Sequence, residues 1–381
     1  MQKLRINLLT TGRFHLCDLA RELDLLGHEV RFYSYVPKLR TRNFGLKDKC
    51  NYTIFLYIFP LLLLKKFFKI KSLDKILDQF TIIWLDIVAS VIMKPCDVFI
   101  GMSGIAARSA RIMKEKYNAK ILIERGSRHI LSQKEILSKI HQLYPSTNIV
   151  SEFDVKREMR TYELADTIVI PSRHVEESFT ERGYKKVKLF KNPYGVSLKM
   201  FPPTDAPGQA NPTIIMVGTW SLRKGCDLLL KAWRQLERVK LIHVGSITDF
   251  DMPDDKGLEH YDAVNQWRLK LFYKRAHVFV LPSREDGFGM VLAQALACGL
   301  YLVCSDRTGG EDLLDYLSNK DLITVVPADN VPALVNAVRN SLEKAVKKSG
   351  LRNFIEGAKV HLDWRAYGER YNKFLLNSFD I

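Results

Sequence analysis

Twice along this chain, short apolar runs rich in β-branched residues end in glycine turns and pass straight into helical patterns. That alternation constrains the fold more than any other feature, because parallel strands need long crossovers and those crossovers are usually helices. In the first half the spacing predicts strands at Leu4–Leu9, Val30–Tyr35, Asp97–Ile100, Lys120–Ile123 and Thr167–Ile170. Between the first two, Leu16, Leu19, Leu23 and Leu26 fall at helical spacing and Gly27 supplies a C-terminal stop. The second half restarts the pattern at Thr213–Val217, Leu241–Val244, Val278–Leu281, Tyr301–Cys304 and Ile323–Val326. Pro202, Pro203, Pro207, Gly208 and Pro212 read as a stiff, polar linker between the halves.

A length of 381 residues with 47% hydrophobic and 26% charged side chains supports two buried cores. The expected fold class is therefore α/β, with two Rossmann-like domains facing across a cleft. Their expected spans are 1–195 and 196–363, and the helical tail 364–381 is expected to cross back to the first domain. The six cysteines, at 17, 50, 96, 226, 298 and 304, show no zinc-ligand spacing and read as reduced, buried thiols of a cytosolic protein. No metal site is expected.

The net charge is +16, and residues 1–190 hold 33 basic against 20 acidic side chains. This half is therefore expected to meet something anionic. Nucleic acid is disfavoured, since no recognisable nucleic-acid motif is present and the charge interleaves with long apolar runs. The uncharged stretch from Asn51 to Leu64 is too short to span a bilayer and contains Pro60. Lysines and aromatics interleave directly after it, from Lys65 to Lys71. Such a segment suits a membrane interface, so an anionic membrane surface is an expected partner, engaged peripherally from the cytoplasmic side.

The most informative run is Leu281-Pro-Ser-Arg-Glu-Asp-Gly-Phe-Gly-Met-Val-Leu-Ala-Gln294. A strand ends, the carboxylates Glu285 and Asp286 precede a Gly287-Phe288-Gly289 turn, and a helix follows from about Met290 to Cys298. A helix start of this kind aims free N–H groups and partial positive charge at a ligand, and suits a phosphate. Gln294, about one turn into the helix, is placed to reach hydroxyls attached to that phosphate. A second strand–glycine–helix unit, from Met216 to Trp233, puts Arg223 and Lys224 at a helix start. Two cations there oppose the helix dipole unless an anion joins them. In the first half the turn at Gly12 and Arg13, and the cluster Glu124, Arg125, Ser127, Arg128 and His129, both follow strands. The cluster is expected to be exposed and to hold an acceptor, the alternative being a local structural pairing with His129 as a cap.

These runs resemble retaining, nucleotide-sugar-dependent glycosyltransferases of family 4, which have the GT-B fold. The family's acidic motif is matched by Asp286-Gly-Phe-Gly-Met-Val-Leu-Ala-Gln294 and its Lys-Gly element by Lys224-Gly225, with further matches at 165–172, 192–201 and 307–314. The resemblance implies transfer of a sugar from a nucleoside-diphosphate donor to a glycan or lipid-linked acceptor, with retention and without a metal or other cofactor. It implies catalytic roles for Lys224, Arg223 and Asp286. Donor contacts are implied for Gly12, Thr219, Glu285, Gly287, Phe288, Gly289, Met290, Val291 and Gln294. Acceptor contacts are expected from Arg13, Glu124, Arg125, Ser127 and His129. Three positions depart from the family: Asp286 and Gln294 replace glutamates, and Thr219 stands where an arginine is common. A nucleotide-sugar-binding paralogue with weakened turnover is the alternative reading.

Overall fold

Strand residues such as Ile6, Leu8, Ile121 and Ile123 are fully buried, as expected of parallel sheets covered by helices on both faces. The computed structural model describes residues 3–67 and 71–378, and the side chains of these except 66, 67 and 71–74. The first sheet contains β1 (Arg5–Leu9), β2 (Glu29–Ser34), β3 (Asn51–Thr53), β4 (Val98–Met102), β5 (Lys120–Glu124), β6 (Thr167–Ile170) and β7 (Leu189–Lys191). Its order is β3-β2-β1-β4-β5-β6-β7. The second contains β8 (Thr213–Val217), β9 (Lys240–Val244), β10 (Leu258–Tyr261), β11 (Val278–Leu281), β12 (Tyr301–Ser305) and β13 (Ile323–Val326), ordered β10-β9-β8-β11-β12-β13. Every pairing between these strands is parallel.

All ten strands expected from the sequence are present, with ends shifted by no more than about two residues. Of the four edge strands of the two sheets, β13 was expected from its apolar run, and the other three, β3, β7 and β10, were not anticipated. Most of their residues are only half-buried, so they carry neither a continuous apolar run nor a clean alternation.

Strand order reverses beside β1 and β4 in one sheet and beside β8 and β11 in the other. Ligands of open α/β sheets bind outside the carboxyl ends of strands at such points. The turn residues singled out in the sequence follow these strands.

Val196 pairs with Asp363 in an isolated bridge where the chain passes between the sheets and where it returns. A Cβ on Gly195 would lie 2.7 Å from the Trp364 backbone, so the two crossings touch through a residue that must lack a side chain. The Trp364–Asn377 helix, capped by Asp363, then packs against the Phe14–Leu25 helix. The proline-rich stretch is not a free linker: Thr204 donates to the Cys298 carbonyl at 3.2 Å and Ala206 to that of Gly350 at 2.9 Å. Backbone hydrogen bonds hold it on the second domain. The six cysteines are free and buried, as expected. Among the described residues no helix is long and apolar enough to cross a membrane.

Candidate functional site

Beyond β8 the chain turns through Gly218 into the 3-10 segment Leu222–Lys224, where the Ser221 side chain accepts from the Lys224 N–H. Gly225 follows with φ +74°, and a Cβ there would overlap the Pro282 carbonyl. Only glycine lets the start of the Cys226–Trp233 helix lie against the loop after β11. Gly289, with φ +71°, begins the Met290–Ala297 helix in the same way. Two glycine turns thus bring Arg223 and Lys224 onto the carboxylates of the other loop.

Arg223 meets Glu285 at 3.0 Å and Lys224 forms a close ion pair with Asp286. This corrects the expectation of two cations left unbalanced at a helix start, because the neighbouring acids supply the counter-charge. Burial raises the Asp286 carboxyl, but Lys224 and then Arg223 outweigh it and hold it below the ordinary range. For Lys224, burial lowers the ammonium; Asp286 opposes that and Arg223 adds to it, and the result lies below the usual lysine value. An incoming diphosphate would share or replace the carboxylates around the two cations.

Glu285 is fully buried and also reaches the first domain. It accepts from the Arg128 N–H at 3.3 Å and from Gln133 Nε2 at 3.1 Å. Gln133 in turn accepts from Arg125 at 2.7 Å, and Arg125 pairs with Glu158 at 2.7 Å. A hydrogen-bonded chain therefore runs from Arg223 through Glu285 and the neutral Gln133 to Arg125 and Glu158, across the seam into the first domain.

The expected exposed acceptor cluster is corrected by burial. Glu124, Arg125 and His129 are all buried, while Ser127 is partly covered. Glu124 accepts from the Tyr371 hydroxyl at 2.8 Å and lies 3.0 Å from His15, which stacks on Tyr194. His129 caps the Ile130–Leu143 helix by accepting from Leu131 N–H through Nδ1. Burial and then Arg125 lower its ring to about 4, so it is neutral. These side chains found partners inside the first domain, as charged groups leaving a strand end do when the next helix covers them. Arg13 does face the second domain, donating to Gln266 at 3.1 Å and lying over the Phe44 ring. Beside Gly12, Phe14 has φ +38°, which is uncommon for a bulky residue, and its side chain is exposed at the carboxyl end of β1.

Phe288 is buried edge-on to Tyr194 at 5.6 Å, whereas Met290, Val291 and Thr219 remain half-buried at the second domain's face. Gln294 is buried, and its oxygen accepts from the Tyr273 hydroxyl at 3.3 Å. Gly287 is the tightest point of the seam: its carbonyl accepts from Ser172 at 2.5 Å and from His174 at 3.1 Å. A Cβ on Gly287 would overlap the Gly126 carbonyl oxygen across the interface. Gly287→Ala should therefore force the domains apart without unfolding either one. The expected result is a melting curve close to wild type with about a hundredfold loss of kcat/KM, since misplacement by about 1 Å costs that much. Unaltered kinetics would mean that this contact is not made during turnover.

Sequence reasoning missed Gln133, Ser172, His174 and Arg284. Arg284 grips Asp227 through both guanidinium nitrogens at 2.6 and 2.8 Å, Asp329 at 2.6 Å and the Leu222 carbonyl at 2.7 Å. It ties the loop after β11 to the helix behind Lys224. Only its position immediately before the paired acids Glu285 and Asp286 hinted at it. Among the described residues, no group of three or more His, Cys, Asp or Glu side chains could hold a metal ion.

Two facing parallel α/β sheets, with glycine turns at both switch points and a returning C-terminal helix, define the GT-B class. Sucrose-phosphate synthase from Thermosynechococcus elongatus superposes over 100% of both chains with a TM-score of 0.65 and 16% identity. HepE of Anabaena, solved in complex with UDP, does so over 99% of this chain and 100% of that one, with a TM-score of 0.64 and 12% identity. Residues 211–344 match the family described as glycosyl transferases group 1. Over 185 residues the chain is 27% identical to the GDP-mannose:cellobiosyl-diphosphopolyprenol alpha-mannosyltransferase of Xanthomonas campestris, covering 44% of this chain and 46% of that protein. Over 169 residues it is 27% identical to the D-inositol 3-phosphate glycosyltransferase of Xylanimonas cellulosilytica, covering 37% and 40%. The chain thus spans less than half the length of these curated relatives. With these matches, the resemblance to glycosyltransferase family 4 is shown.

Proposed function

We propose that the protein transfers a sugar from a nucleoside-diphosphate sugar to a hydroxyl of a glycan or lipid-linked acceptor, with retention of anomeric configuration. Its setting would be bacterial cell-surface polysaccharide or lipopolysaccharide synthesis, at the cytoplasmic face of the membrane. The observation that carries this reading is the convergence of Arg223, Lys224 and the start of the Met290–Ala297 helix at the second sheet's switch point. Such a constellation suits a departing diphosphate, because fixed cations and N–H groups stabilise charge as it develops. The C1–phosphate oxygen bond breaks and a C1–acceptor oxygen bond forms on the same face. The acceptor's proton passes to an oxygen of the leaving diphosphate. Asp286 would hold sugar hydroxyls, the 287–291 turn and Thr219 the donor, and Gln294 the ribose. Arg13 and the loop at Gly12 are the first-domain groups best placed to meet the ligands, and no resident cofactor is invoked.

The similarity to the cellobiosyl-diphosphopolyprenol mannosyltransferase of Xanthomonas campestris supports a lipid-linked acceptor. The test is a panel of nucleotide sugars incubated with a polyprenyl-diphosphate glycan, reading the release of nucleoside diphosphate and the anomeric proton of the product by NMR. One donor should be consumed only with acceptor, and the product anomer should match the donor's. Inversion would remove retention, whereas donor binding without turnover on any acceptor would assign the weakened paralogue instead.

The assignment of Gln294 gives a separate expectation. A carboxylate accepts hydroxyl hydrogen bonds more strongly than an amide does and can still accept from Tyr273. Gln294→Glu should therefore keep or improve nucleoside-diphosphate affinity by calorimetry. A loss beyond about tenfold with the fold intact would show that the amide N–H is the group in use.

A further inference from the structure

The lysine run expected to touch the membrane is only partly described. Lys65 is 28% exposed and paired with Asp78, while the side chains of Lys66, Lys69 and Lys71 lie outside the described residues. A different surface of the first domain combines apolar and cationic character more fully. Along the Lys71–Ile92 helix, Ile76, Phe80, Trp84 and Val91 recur at helical spacing and face solvent at 61%, 50%, 38% and 75% exposure. On the neighbouring Phe55–Phe67 helix Leu56, Tyr57 and Phe59 are also exposed, and Trp84 donates to the Tyr57 carbonyl at 3.1 Å, joining the two helices.

Half-buried Ile83 and Ile87 of the same stripe line a groove of about 510 Å³ against the Ala107–Tyr117 and Glu152–Leu164 helices. Its rim carries five cations, Arg108, Arg111, Lys156, Arg157 and Arg160. The acid at its floor, Asp86, is already satisfied by the Arg108 and Ser109 N–H groups and the Ser109 hydroxyl. Arg157 is spent partly on the Gly104 and Ile105 carbonyls at 2.7 Å, which leaves Arg111, Lys156 and Arg160 as the freest of the five. Arg111 has only a 4.0 Å pairing with Glu115.

We infer that this surface docks the protein on anionic phospholipid, with the apolar stripe in the bilayer interface and a lipid phosphate in the cationic groove. An apolar helix face carrying a tryptophan, bordered by cations with only long ion pairs such as Arg111–Glu115 at 4.0 Å and Arg157–Asp86 at 3.7 Å, matches both parts of such a surface, and no single soluble anion needs the stripe. The Ala107–Tyr117 helix begins beyond the carboxyl end of β4, on the sheet end where the proposed cleft opens. Docking here would bring that cleft to an acceptor held in the membrane, so the inference rests on the lipid-linked reading above.

Flotation of the full chain with phosphatidylcholine vesicles, with and without phosphatidylglycerol, tests it. Binding should require the anionic lipid. Arg111→Gln/Lys156→Gln/Arg160→Gln should weaken it about a hundredfold, at roughly fivefold per cation. Phe80→Ser/Val91→Ser should weaken it at high salt, where the charge contribution is screened. Inorganic phosphate at millimolar concentration should not displace the protein; displacement would assign the groove to a free phosphate and overturn the lipid proposal. So would wild-type vesicle binding that survives both variants, or a dimer that hides the stripe and ignores vesicles. Nucleoside-diphosphate binding, measured in parallel, separates these failures from a failure of the glycosyltransferase reading.

Discussion

Replacing Lys224 with alanine is expected to lower kcat/KM for the nucleotide sugar by about tenfold to a thousandfold, or about 1.4 to 4 kcal/mol of transition-state stabilisation. The lysine is half-buried, paired with Asp286 and next to Arg223, so little water is at hand to stand in for its charge if a diphosphate departs there. Its loss also leaves Asp286 facing Arg223 alone, and some of the effect will appear in donor affinity. Arg223→Ala should cost less, because Arg223 shares its charge with Glu285, which in turn has Gln133 and Arg128 as partners. Steady-state kinetics on the two variants give the ranking. Equal, near-wild-type rates would remove this pair from the reaction.

The largest effect on stability is expected at Arg284. Its bidentate bond to buried Asp227 and its bond to the Leu222 carbonyl hold the turn that presents Arg223 and Lys224. Arg284→Met keeps much of the apolar stem but strands a buried carboxylate, a change that costs about 3–5 kcal/mol. Thermal melts should show the loss, and the partner change Asp227→Leu made together with it should recover much of it, since removing both charges leaves nothing buried and unpaired. If the single variant melts like wild type, the clamp is not what positions the turn.

The central strands were readable because burial on both faces demands an unbroken apolar run, as in Val278–Leu281 and Tyr301–Ser305. Edge strand Leu258–Tyr261 breaks that rule, being half-buried with a glutamate and a histidine among four residues. The glycines at 225 and 289 were legible as turns, and the motif around Asp286 as a phosphate-facing helix start. What the sequence could not show was pairing at long range. Nothing near Glu285 announces Gln133, 152 positions away, and nothing near Gly287 announces Ser172 and His174. The exposure expected of Glu124, Arg125 and His129 fails for the same reason, since the partners Tyr371 and Glu158 lie far along the chain, while the alternative of His129 as a cap holds.

The central claim is that the turn at Arg223 and Lys224 and the helix start at Met290 hold a nucleoside diphosphate. Calorimetric titration of the protein with the common nucleoside diphosphates tests it most directly, with Lys224→Ala as the paired sample. One nucleotide should bind the wild-type protein at one site per chain and bind Lys224→Ala at least about tenfold more weakly. Binding of that nucleotide with the same affinity to both proteins, or heat from none of them in a folded sample, would contradict the account.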